Sequence, residues 1–148
     1  MDYENLLRDR LIKAQKPDLE QIRSQLHRAA KDLKTAESVI PIDLTWGFAI
    51  AYHAMIRAGK ALMFSRGFLP TTKNSHKTIM EFTGFVLGDE YQDLLLRFNR
   101  MRRKRHDFIY DSQNHTTESE ARGALHTAKE LIDKIAALIT EETRGRLF

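Results

Sequence analysis

The stretch RMRRKRHDFIYD, residues 100–111, places five cations, a histidine, two aspartates and a tyrosine in twelve positions of a 148-residue chain with net charge +4. These residue types can do phosphate chemistry: guanidinium groups match phosphate oxygens in pairs, and imidazole exchanges a proton near neutral pH. At about 100° per residue around a helix, Tyr91, Leu94, Phe98, Met101, Phe108 and Ile109 all fall within roughly 60° of Arg105. Arg105 therefore points along the middle of an apolar stripe. An uncompensated ion there is costly, so Arg105 must meet a carboxylate, backbone carbonyls, a wet cleft or a ligand phosphate. Arg102, His106 and Tyr110 follow one another at intervals of four along the border of the stripe and can converge on one ligand. Arg100, Arg103, Lys104 and Asp107 point to the other side, where Arg103 and Asp107 can pair across one turn and the rest read as a solvated face.

The elements that position these residues read as helices. Pro17 and Asp18 mark a helix start, and Leu19, Ile22, Leu26, Ala29, Ala30 and Leu33 form its stripe until Pro41. Residues 3 to 14 read as a short helix or a frayed lead-in. A second long helix begins at Asp43, or at Thr45 as an alternative cap, and runs to about Ser65 before Gly67 and Pro70. Its many small residues, Gly47, Ala49, Ala51, Ala54, Ala58, Gly59 and Ala61, suit a central helix approached closely from more than one side. Ser75 can cap a short helix to about Leu87, and the helix with the basic cluster follows Gly88. SQNHTT breaks the chain again. The last helix runs from about Thr117 to Arg144, with Thr117 and Glu120 spaced as a capping box and Ala121, Leu125, Ala128, Leu131, Ile132, Ile135 and Leu138 facing inward. No segment alternates like a strand. The reading is an all-α, antiparallel bundle of four to five helices, one domain over 1–148.

Composition narrows the function classes. With 42% hydrophobic and 30% charged residues the chain is globular, and with no cysteine it carries no disulfide framework or thiolate metal site. No metal-ligand spacing appears among the six histidines, and no cofactor is called for. The N-terminus lacks the basic start and apolar centre of a secretion signal, and no apolar run approaches the roughly 18 to 20 residues of a membrane helix. A cytoplasmic protein without a membrane partner is the expectation.

Two stretches carry a family resemblance. AIAYHAMIRAGKALMFSRGFLPTTKNSH resembles the helix-loop signature of HEPN domains, in which a Tyr-containing, Ala-rich helix leads through a Gly and Pro loop to a histidine at the next helix start. RRKRHDFIYD resembles the later motif of that family: arginine, a polar residue, three further residues, and a histidine or tyrosine often followed by aspartate. The resemblance spans about 17–140. It implies a HEPN-like helical bundle, commonly a homodimer with the arginine motifs of both subunits facing one cleft. Many members are metal-independent ribonucleases, often toxins neutralised by a minimal nucleotidyltransferase partner; others are tied to nucleotide binding.

Two registers stay open. In the closer one Arg105 is the motif arginine, His106 the polar second position, and Tyr110 stands where nuclease members have histidine. A phenol with an ordinary pKa near 10 is a poor base at neutral pH, so this is a departure from the nuclease pattern. In the looser register Arg100 or Arg102 pairs with His106. The resemblance implies a catalytic set of Arg105, His106 and Tyr110 with Arg100, Arg102, Arg103 and Lys104 on the phosphates of RNA or a nucleotide. The contrasting expectation is a non-enzymatic dimerisation module in which Arg105 is a structural ion pair and the domain holds a nucleotidyltransferase.

Overall fold

The computed structural model describes residues 3–72, 74–110 and 115–144, with Ile109 and Tyr110 as backbone only. Its elements in chain order are α1 (Tyr3–Arg8), β1 (Ile12–Ala14), α2 (Leu19–Val39), α3 (Leu44–Ser65), β2 (Phe68–Pro70), α4 (Ser75–Leu87), a single 3-10 turn (Asp89–Tyr91), α5 (Gln92–Tyr110) and α6 (Glu118–Thr143). The architecture is an all-α bundle of five longer helices, α2 to α6, with the short α1 beside them. Among the described residues no helix is long and apolar enough to cross a membrane.

Helix starts follow the capping chemistry. Asp18 accepts from the N–H groups of Glu20 and Gln21 at 3.0 and 3.2 Å and so caps α2. Asp43, not Thr45, caps α3, accepting from Trp46 N–H at 3.0 Å. The Thr45 hydroxyl instead donates to Thr116 Oγ1 at 3.0 Å, tying the start of α3 to the residues just before α6. Thr117 and Glu120 close the capping box of α6 reciprocally, at 3.1 and 3.0 Å. Ser75 is the first helical residue of α4 rather than its cap. Asn74 precedes it in the left-handed region, φ 48°, and gives α4 no side-chain cap.

The small-residue helix α3 lies at the centre, against α2, α4, α5, α6 and β2. Gly59 shows why its small residues matter: a Cβ there would fall 2.5 Å from Ile79 Cγ2 of α4. Ile22, Leu33, Tyr52, Met55, Leu62, Phe82, Phe98, Leu131 and Ile135 fill the core around it. On α6, Leu125 and Leu138 sit at the margin, half-buried.

One feature runs against the all-helical reading. β1 and β2 form an antiparallel ribbon, pairing Ile12 with Pro70 and Ala14 with Phe68. Three-residue strands are too short to display a period of two, and these partners are far apart in sequence. The ribbon holds α1 in place through Tyr3, whose ring centroid lies 4.9 Å from Phe68 and 5.3 Å from Phe82. It also sets the path of the chain into α4: Thr71 donates its hydroxyl to Arg10 O at 2.7 Å and its N–H to Leu11 O at 3.0 Å.

Candidate functional site

On α5 the apolar stripe runs as expected through Leu94, Phe98 and Met101, all buried. Arg105 comes next on the same face and is half-buried. Among the described residues it has no carboxylate at ion-pair distance, so the structural ion pair expected of it is absent there. Its guanidinium instead borders a cavity of about 460 Å³ between α3, the start of α4 and α5. Thr72, Asn74, Ser75, His76 and Lys77 form one side; Tyr52 comes from α3, and Arg102, Arg105 and His106 come from α5.

Among the described residues no carboxylate lines this cavity. Arg102 and Arg105 therefore face space that no described carboxylate neutralises from within, while Lys77 at its border lies 3.9 Å from Glu81. The first N–H groups of any helix lack intrahelical partners, and α4 has no side-chain cap, so its positive end adds to the same field. Arg102 is held in place: Nε and one terminal nitrogen donate to Asn99 Oδ1 at 3.1 and 3.0 Å. That leaves its other terminal nitrogen as a donor for a ligand.

Behind the arginines, Tyr52 Oη lies 3.0 Å from His76 Nδ1. Tyr52 is 1% exposed, and burial pushes its phenol well above the ordinary value against the pull of Arg102 and Arg105. A phenol that keeps its proton needs an acceptor, and Nδ1 is the one within reach, which puts the His76 hydrogen on Nε2. Burial first, then Arg105, His53 and Arg102, hold the His76 imidazole below its ordinary value. His76 is thus a neutral ring at neutral pH, next to two guanidinium groups.

The structure divides the basic cluster of α5. Arg102, Arg105 and His106 share the cavity. Lys104 turns to α6, where its ammonium lies 2.9 Å from Glu120, donates to His115 O at 3.2 Å and sits 5.5 Å above the Phe108 ring. Arg100 borders a separate apolar depression between α5 and α6, and Arg103 is exposed. The pair expected between Arg103 and Asp107 does not form. Tyr110 ends α5 and its side chain lies outside the described residues, as does all of Asp111.

Sequence reasoning omitted Tyr52, His76, Lys77 and Asn99 from the site and found no constellation among the other histidines. Tyr52 and His76 do lie inside AIAYHAMIRAGKALMFSRGFLPTTKNSH. That motif held the signal, and only the hydrogen bond between them shows its use.

The HEPN domain family model matches residues 22–138, which takes in α3, the loop to α4 and nearly all of the cavity's elements. Neither the curated proteins nor the solved structures contain a match.

Proposed function

Because the chain belongs to the HEPN domain family, whose domains commonly dimerise and bind nucleotides, we propose that the cavity bordered by Arg102 and Arg105 binds a phosphate group of RNA or of a nucleotide. The observation that carries this is Arg105: a half-buried cation on the apolar stripe, without a carboxylate among the described residues, beside Arg102 and the uncapped start of α4. Charge-assisted donors of this kind hold phosphate strongly and in a fixed orientation. A homodimer with both cavities on one cleft, and association with a minimal nucleotidyltransferase in a toxin and antitoxin pair, belong to the same proposal.

A second reading is favoured by His106, which borders the same cavity as the arginines. In it the protein is a metal-independent endoribonuclease. Arg102 and Arg105 orient the phosphodiester and stabilise its developing charge. His106 takes the proton of the ribose 2'-hydroxyl as its oxygen attacks phosphorus and the P–O5' bond breaks. The 5'-oxygen leaves protonated by water or by the imidazolium, giving a 2',3'-cyclic phosphate and a 5'-hydroxyl.

The experiment is incubation of the purified protein with total RNA in EDTA, beside Arg105→Ala, His106→Ala and Tyr110→Phe. Cleavage by wild type that Arg105→Ala and His106→Ala both abolish supports the nuclease. Cleavage that survives all three substitutions overturns the mechanism. With no cleavage, a fluorescent-nucleotide titration at two salt concentrations decides the binding reading, because phosphate contacts weaken as ionic strength rises.

A further inference from the structure

A second cavity, of about 330 Å³, opens on the other flank of the first turn of α4 and shares Ser75 and His76 with the phosphate cavity. The two differ in kind. The second has an apolar wall, Ile56, Pro70 and Ile79, faced by Gln25, His53 and Arg57, with Lys60 also at its border.

The polar side is built and held. Arg57 Nε donates to Asp32 Oδ2 at 3.2 Å, and its terminal nitrogens reach Gln25 Oε1 at 2.9 Å and His53 Nε2 at 3.2 Å. Asp32 is buried and also takes Arg28 Nε at 3.3 Å, so the network is anchored between α2 and α3. Arginine can only donate, which makes His53 Nε2 the acceptor and leaves the ring hydrogen on Nδ1. Burial and the Arg57 charge hold His53 below its ordinary value, in keeping with a neutral ring. Gln25 spends its carbonyl on Arg57 and keeps its amide hydrogens. Asp32 is shared by Arg57 and Arg28 and offsets only part of their charge; what sets this cavity apart from the first is its apolar wall. An apolar wall faced by a few fixed donors suits a flat heteroaromatic ring.

We propose that the second cavity takes the base of a nucleoside phosphate whose phosphate occupies the first, with His76 beside the sugar between them. The inference rests on the phosphate reading of the first cavity. It specifies the ligand as a nucleoside phosphate, free or within RNA, rather than an inorganic or sugar phosphate.

The test is a titration of the full chain with a ribonucleoside monophosphate, the matching nucleoside and inorganic phosphate, in wild type and Gln25→Ala. The nucleotide binds at least about tenfold more tightly than inorganic phosphate, since ring burial adds to the anion contacts. Gln25→Ala removes most of that gain and leaves the affinity for inorganic phosphate within about twofold. Amide NMR shifts need no variant: nucleotide moves Gln25, His53 and Ile56 together with α5, and inorganic phosphate moves only the first cavity. A nucleotide that binds no more tightly than phosphate, or shifts absent from Gln25, His53 and Ile56, overturn the inference. Failure of the phosphate reading looks different: neither anion binds, or both bind equally well to Arg105→Ala. A short oligoribonucleotide run in parallel identifies the source, RNA if it binds more tightly than the mononucleotide and the free nucleotide if it does not.

Discussion

Gly59→Ala pits an intrinsic gain against a packing loss, and the structure decides the sign. Alanine in a helix interior is favoured over glycine by about 0.8 to 1.0 kcal/mol. Here the new methyl would lie 2.5 Å from Ile79 Cγ2 and 3.0 Å from Thr83 Oγ1. Neither atom yields cheaply. Cγ2 is fixed to the branched Cβ of a residue 2% exposed, and the Thr83 hydroxyl is buried and bonded to Ile79 O at 2.8 Å. Relief requires α4 to move away from α3, and overpacking of this kind costs roughly 1 to 3 kcal/mol, which the helix gain reduces to a net loss of up to about 2 kcal/mol. For a chain of this size that lowers Tm by roughly 2 to 4 °C per kcal/mol. Urea unfolding measures it as a lower midpoint at unchanged slope. Because the start of α4 walls the phosphate cavity, the variant also binds nucleotide more weakly. A Gly59→Ala protein as stable as wild type or more so refutes the close-approach argument.

The other predictions concern the polar groups. Asp32→Asn strips Arg57 of its charge partner; the Arg57 side chain is 26% exposed, so the loss falls below the fully buried range, at about 1 to 3 kcal/mol by urea unfolding. Tyr52→Phe leaves His76 Nδ1 without its partner and costs about 0.5 to 1.5 kcal/mol in the same assay, with nucleotide affinity falling as the ring loosens. The His76 ring is held below its ordinary value in the folded chain, by burial first and then by Arg105, so the unfolded chain binds its proton first as pH falls. Stability therefore drops as pH falls below about 6.5 toward the folded value, and His76→Gln shows a smaller decrease in urea midpoint between pH 7.5 and 5.5 than wild type.

Much of the fold was legible because its signals are local. Asp18, Asp43 and the Thr117–Glu120 box act within one turn, and the stripes of α2, α5 and α6 need only a helical period. The anomaly at Arg105 was visible for the same reason, since a cation on an apolar stripe is a statement about one helix. What the sequence hid depends on distant segments meeting. The β1–β2 ribbon joins two tripeptides from far apart, and Tyr52 meets His76 only when the loop after α3 folds back. Lys104 reads as solvated on its own helix, yet α6 brings Glu120 to it. Asn99 was passed over because a short polar side chain on a helix has no meaning until the arginine it holds is seen.

Whether Arg105 meets phosphate is measured most directly by the affinity of wild type and Arg105→Ala for one ribonucleotide at two salt concentrations, with melting temperatures taken alongside. A charge-assisted contact is worth about 1.5 to 3 kcal/mol, so a phosphate held by Arg105 predicts a loss of roughly tenfold or more. It also predicts a shallower salt dependence in the variant, because one phosphate contact is gone. Equal affinities with parallel salt dependence would contradict it, as would a variant that loses stability while its nucleotide affinity stays unchanged.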